Sequence, residues 1–296
     1  MKEQTYSLQR LSLAAIEWGA SDGEIVLAIH GWLDNAASFI PVAEHLNLEN
    51  KRLIAIDLPG HGLSDHRPKG ESYHFLEYVQ DIVELIHVFN RPVTLLGHSL
   101  GGAIASVVSA VIPEKVTRLV MLDALGPMTA KEEQTLANLR HAIDYVSAQR
   151  EHKVKVIASL EQATRIRMTG MTALKSSSAR LLVERSLIPC DNGFKWRSDA
   201  RLKAPSLSRL TEGQVKNLFE GIECPVCVIA AEDGLFKFDK APQVRFSYLR
   251  YVALHTVTGG HHFHMDGDVA EAAILINQFL SDVDGYDESA QSKAEA

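Results

Sequence analysis

The sequence predicts an α/β fold: a mostly parallel sheet, helices on both of its faces, and a helical insertion. Three observations predict it. Short continuous apolar runs recur between turns, as strands buried on both faces require. Helical periodicity fills the stretches between them. The buried-strand texture stops near Pro127 and resumes at Val226.

Residues 26–29, 52–56, 93–96 and 116–122 read as buried strands, the last despite Arg118. Residues 73–89 place Phe75, Val79, Ile82 and Ile86 at helical spacing, so a helix packs on the sheet there. Residues 131–150, 154–168 and 172–187 read as helices of the insertion, and Pro189, Asn192, Gly193, Pro205 and Gly213 punctuate the remainder of it. Strands return at 226–231 and 251–257. A last amphipathic helix, 268–280, has Asp268 as its N-cap and Glu271 three residues on. The expected organisation is a core of residues 1–126 and 213–283, an inserted helical cap at 127–212, and a frayed polar tail at 284–296.

A chain of 296 residues, 46% hydrophobic and 23% charged, is large enough to bury a core in one domain with an insertion. The net charge of -7 gives no electrostatic reason to bind nucleic acid or an anionic membrane. Cys190, Cys224 and Cys227 are too few and too odd in number for a disulfide framework, which suits a reducing compartment. Met1-Lys2-Glu3-Gln4-Thr5 lacks the order of a secretion signal. Residues 93–112 carry no charge and are long enough to imitate a membrane helix. Gly97, His98, Ser99, Gly101 and Gly102 interrupt them, and a strand, a tight turn and a helix explain that pattern better. A soluble cytoplasmic protein is expected, with no nucleic-acid or membrane partner.

Gly97-His98-Ser99-Leu100-Gly101 is a G-x-S-x-G pattern between an apolar strand and a helix of small residues. That setting is the one a nucleophile elbow needs. The serine must stand on a sharp turn so that its hydroxyl projects from the sheet edge, and side chains at the flanking glycines would collide with neighbouring backbone. Adjacent residues on such a turn point apart, so His98 reads as a packing or hydrogen-bonding residue. Upstream, His30-Gly31-Trp32 follows a strand end. The backbone N–H groups of Trp32 and Leu100 are the candidate oxyanion donors. Asp57-Leu58-Pro59-Gly60-His61-Gly62-Leu63-Ser64 reads as a rigid structural loop at the same edge.

Gly259-Gly260-His261-His262-Phe263-His264 comes after the last strand. The close spacing of its histidines disfavours a metal site, because ligands usually come from separate elements or one helix face. A loop histidine late in the chain suits the order serine, acid, histidine. His261 is the first choice as base and His262 the second. The acid should end a strand. Asp233 does so and is the first choice, Asp123 is the rival, and Glu232 is poorer. Cys224-Pro225-Val226-Cys227 has redox spacing but enters a strand, so it reads as two buried thiols.

Taken together, His30-Gly31-Trp32-Leu33-Asp34-Asn35, the Asp57–Ser64 loop, Gly97-His98-Ser99-Leu100-Gly101-Gly102 and Gly260-His261 resemble the α/β-hydrolase superfamily. Within it, Phe194-Lys195-Trp196-Arg197 with Asp199 and Arg201-Leu202 makes the chain similar to the serine hydrolase-like proteins. The resemblance implies an α/β-hydrolase fold with a mostly parallel, eight-stranded sheet and an α-helical cap between strands six and seven. It implies a triad of Ser99, Asp233 and His261 with Trp32 and Leu100 as oxyanion donors. The acid strand departs from the family in lacking a proline after Asp233, and Asp123 stands where some relatives place the acid.

The expected chemistry is transfer of an acyl group to water through an acyl-enzyme, with no metal or organic cofactor. The substrate is expected to be a small, apolar acyl compound, with Met168, Met171, Phe194 and Trp196 as candidate lining or cap core. Serine at position 99 excludes the epoxide-hydrolase and dehalogenase routes, which use a carboxylate nucleophile. Thioesterase, lactonase, carbon–carbon hydrolase and perhydrolase chemistry stays open, as does a ligand-binding module on the same fold.

Overall fold

The computed structural model describes residues 1–148, 156–235 and 241–281. The expected tail at 284–296 and the end of the helix expected at 131–150 lie outside the described residues.

The strands are β1 (Lys2–Ser7), β2 (Ser12–Gly19), β3 (Glu24–Ile29), β4 (Lys51–Ile56), β5 (Val93–His98), β6 (Val116–Leu122), β7 (Leu187–Cys190), β8 (Gly193–Trp196), β9 (Val226–Asp233) and β10 (Val252–Gly260). Eight of them form one sheet in the order β1-β2-β4-β3-β5-β6-β9-β10. The first two pairings are antiparallel and the rest parallel. The central strands are apolar at nearly every position because each face meets its own core. Ile25, Leu27 and Ile29 of β3 enter one cluster, and Val26 and Ala28 the other.

The helices are α1 (Ile40–Ala43), α2 (Phe75–Phe89), α3 (Leu100–Val111), α4 (Thr135–Ala148), α5 (Leu160–Met168), α6 (Ser176–Ser186), α7 (Glu212–Glu220), α8 (Phe263–Asp266) and α9 (Val269–Ser281). Helices α2, α3 and α7 cover one face of the sheet, through residues such as Ile82, Ile104 and Phe219. Helices α1 and α9 cover the other, through Val42 and Ile276. The charge-free stretch at 93–112 is β5 and then α3, and no helix among the described residues is long and apolar enough to cross a membrane.

Between β6 and β9 the chain leaves the sheet. Helices α5 and α6 pack with the β7–β8 hairpin around Ile157, Ala163, Val183 and Leu187. The sequence signals at Pro189, Asn192 and Gly193 mark that hairpin, where Gly193 holds φ 136. Helix α5 starts at Leu160, later than the periodicity suggests, because the Ser159 side chain caps it by accepting the Gln162 N–H. Strand β1 escapes the apolar-run criterion, whereas β2 carries a buried apolar run at Leu13–Ile16 that the expected strands omit. Only one face of β1 is shielded, and its polar sequence alternates in burial.

Candidate active site

Strand β5 delivers Ser99 to the carboxyl edge of the sheet at φ 51 and ψ −115, outside the comfortable regions for a residue with a side chain. The turn is locked at both ends. The Ser99 N–H donates to the Leu122 carbonyl at 3.1 Å, and the Ser99 carbonyl accepts the first α3 bond, from Ala103, at 3.0 Å. Glycine is enforced around it by crowding. A Cβ on Gly101 would lie 1.9 Å from the Ile29 carbonyl oxygen, and one on Gly97 would lie 2.5 Å from the backbone of Gly101 and Gly102. Leu100 is the first residue of α3, so its N–H has no acceptor within the helix and faces the anion-favouring end of the dipole.

His261 comes directly after β10 and is 8% exposed. Its Nδ1 is 2.5 Å from Oδ2 of Asp123, the residue directly after β6. The carboxylate on His261 is therefore Asp123 and not Asp233. The physical reason lies in the paths of the two strands. Asp123 is buried to 1% and turns back at φ 43, with its Oδ1 and Oδ2 accepting the N–H groups of Ala231 and Leu235. The Ala231–Leu235 segment thus wraps the Asp123 carboxylate. A Cβ on Gly234 would sit 2.3 Å from its Oδ1, so the glycine after Asp233 serves Asp123. Asp233 registers beside Gly260 through its backbone, while it and Glu232 are exposed. With Nδ1–H committed to Asp123, the lone pair of His261 is on Nε2.

His98 packs and hydrogen-bonds, as its place on the turn suggests. It is fully buried, its ring 4.6 Å from that of His261, and its Nε2 donates to the His261 carbonyl at 2.9 Å. The residue beside the serine thus holds the backbone of the histidine loop. Burial first, then the neighbouring histidines, push the His98 pKa well below its ordinary value. His262 is committed elsewhere than to Ser99. Its Nε2 is 2.9 Å from Asp34 Oδ2, and Arg167 of α5 reaches Asp34 Oδ1 at 2.7 Å. Burial alone would raise the Asp34 carboxyl, but His262, Arg167 and His98 hold it well below the usual carboxylate range. Sequence reasoning gives neither Asp34 nor Arg167 a role. Of the two, Asp34 alone lies in a motif that the sequence singles out, His30–Asn35.

Gly31 to Asp34 form a turn closed by the Asp34 N–H on the Gly31 carbonyl at 3.1 Å, with Leu33 at φ 62. Two buried histidines brace it. His30 donates from Nδ1 to the Gly31 carbonyl and accepts the Leu58 N–H on Nε2. His61 donates from Nδ1 to the Pro59 carbonyl and accepts the Leu33 N–H on Nε2. Burial is the chief influence pushing their pKa values down, to about 4 and about 3. Trp32, partly exposed on this turn, donates its indole N–H to the Leu202 carbonyl at 2.9 Å.

The chain between β6 and β9 docks on the same edge by charge as well as by packing. Arg185 of α6 meets the buried Asp57 at 2.9 Å, and Asn35 donates to the Leu182 carbonyl and to Ser186. Phe194 and Trp196 pack within the insertion, Met168 packs beside Leu174 and Leu182, and Met171 is exposed. Cys224 and Cys227 are buried free thiols, pushed up to about 11 and about 12 by burial.

A family profile described as alpha/beta hydrolase fold matches residues 24–154. A serine hydrolase-like protein of Danio rerio is 31% identical over 87% of this chain and 82% of its own length. A probable serine hydrolase of Drosophila melanogaster is 32% identical over 84% of this chain and 78% of its own. Among solved structures, a hypothetical protein of Pseudomonas aeruginosa PAO1 superposes with a TM-score of 0.88 at 35% identity, covering 95% of this chain and 99% of that one.

Proposed function

Because the chain belongs to the α/β-hydrolase family, and is a hydrolase on that ground, we propose that it cleaves a carboxylic ester through Ser99, His261 and Asp123. The observation that carries this reading is the His261–Asp123 hydrogen bond, with Ser99 held on a strained turn directly after His98, whose ring lies 4.6 Å from that of His261.

His261 Nε2 takes the Ser99 proton as the hydroxyl attacks the carbonyl carbon. Asp123 keeps Nδ1 protonated, fixes the ring plane and stabilises the imidazolium that forms. The developing oxyanion is met by the N–H groups of Trp32 and Leu100, each such donor contributing about 3 kcal/mol. His261 then returns the proton to the leaving alcohol. The resulting acyl-enzyme is cleaved by water along the reverse route. The segment 127–212 acts as a cap over this edge and selects a small, apolar acyl compound.

A fluorophosphonate probe with mass spectrometry tests the reading directly. Labelling of wild-type protein at Ser99 and none of Ser99→Ala, together with turnover on a panel of short and medium acyl esters, is the expected result. Labelling elsewhere, or labelling at Ser99 without hydrolysis of any panel ester, overturns it.

A further inference from the structure

Behind the His261 loop lies a second polar cluster that ester cleavage does not use. Asp34, His98 and His262 are 2%, 0% and 5% exposed. They offer one ligand atom each, all within 4.8 Å of one another. Asp34 Oδ2 is 2.9 Å from His262 Nε2 and 3.7 Å from His98 Nδ1.

The hydrogen bonds of His98 leave a specific gap. A carbonyl oxygen only accepts, so the Nε2 that meets the His261 carbonyl carries the hydrogen. Nδ1 of the neutral ring is then a buried lone pair without a hydrogen-bond partner among the described residues, and it faces a carboxylate oxygen. Arg167, 2.7 Å from Asp34 Oδ1 and 3.4 Å from His262 Nε2, balances the carboxylate but does not reach His98 Nδ1, whose lone pair stays unsatisfied away from water, an unfavourable state. Glycine keeps the approach to them clear. A Cβ on Gly31 would lie 2.9 Å from His98 Nδ1 and 3.2 Å from Asp34 Oδ2. Next to the cluster, His264 is fully buried with both ring nitrogens unpartnered among the described residues, its ring 4.3 Å from that of His98.

We propose that Asp34, His98 and His262 bind a divalent first-row transition-metal ion of the zinc type. Two imidazoles and one carboxylate favour such an ion over magnesium or calcium, which prefer oxygen-only sets. Bonds of about 2.0–2.1 Å in tetrahedral geometry put ligand atoms roughly 3.3 Å apart. The separations of 2.9 and 3.7 Å from Asp34 Oδ2 bracket that value. Outer partners are in place for two of the three ligands, and His262 Nδ1 has none among the described residues. His98 donates its other N–H to a backbone carbonyl, and Asp34 Oδ1 is held by Arg167. Histidines crowded at 261–264 argue against a site when read along the chain. The ligands instead come from three distant segments, and the run supplies one of them.

The test is metal titration of the full chain after dialysis against a strong chelator. Calorimetry with Zn2+ should give one ion per chain at micromolar Kd or tighter, with a rise in thermal midpoint that tracks metal concentration. Co2+ should give visible d–d bands without the thiolate charge-transfer band that Cys224 or Cys227 would produce. Asp34→Asn and His262→Gln, checked for folding by circular dichroism, should each weaken Zn2+ binding by on the order of 100-fold or more, since each loses a direct ligand. Absence of binding to wild type, a thiolate band with Co2+, or equal binding by a folded variant overturns the proposal. The wild-type measurements decide it even if both variants fail to fold. Ester turnover enters none of these readouts, so the metal site and the serine reading stand or fall separately.

Discussion

Asp34 and Arg167 join the two parts of the chain at their boundary: Oδ1 of the carboxylate, in the turn after β3, is 2.7 Å from Nη2 of the guanidinium on α5. The carboxylate is 1% exposed at its side chain and the arginine 16%. A pair this buried costs much to break from one side only, because the partner keeps its charge without water.

Arg167→Met is therefore expected to destabilise the fold by about 3 kcal/mol, read from urea unfolding. Asp34→Asn in the same chain should restore part of that loss, because the orphaned charge is then gone. A change below about 0.5 kcal/mol, the range of an ordinary surface substitution, would remove Arg167 from this role.

Asp123→Asn should lower kcat/KM on an active ester by about 10⁴, since the amide favours the wrong imidazole tautomer. Asp233→Asn should change it by no more than about twofold, because the residue is exposed. The reverse ranking of the two variants would return the acid to Asp233.

Gly101→Ala and Gly260→Ala make a steric pair. The first drives a Cβ to 1.9 Å from the Ile29 carbonyl, whereas a Cβ at Gly260 meets nothing within 4 Å. Gly101→Ala is expected to cost about 3 kcal/mol or more through backbone displacement, and Gly260→Ala to stay within about 0.5 kcal/mol. Thermal unfolding of the two proteins side by side checks it, and similar midpoints would contradict the crowding at the elbow.

His30 and His61 give a pH dependence. Their folded pKa values, about 4 and about 3, lie below the unfolded value near 6.5. Below that unfolded value the open chain binds protons that the folded chain refuses, so stability falls as pH drops from about 6.5 toward about 4. Each group contributes up to about 1.4 kcal/mol per pH unit across that window. Denaturant unfolding at about pH 7, 6 and 5 should show the decline, and His61→Gln should shallow it. A stability that is level or rising toward acid would count against neutral, buried histidines.

Periodicity and turn chemistry are enough to read the parallel strands, the helix at Phe75–Phe89, the Ser99 turn and the late histidine, because each is fixed by residues close in the chain. A strand buried on both faces must be apolar throughout, and a turn at φ 51 hemmed in by backbone must have glycine beside it. The acid is a different kind of question. Asp123 and Asp233 both end strands, and nothing local separates them. What separates them is that β6 lies between β5 and β9 in the sheet, so the β9 loop wraps over Asp123 and its N–H groups satisfy that buried carboxylate. Asp34 and Arg167, and the partners that His98 and His262 find, are illegible in the sequence for the same reason. Their meaning is a charge balance among four distant segments, and only the tertiary fold brings those charges into one water-poor place where they must answer one another.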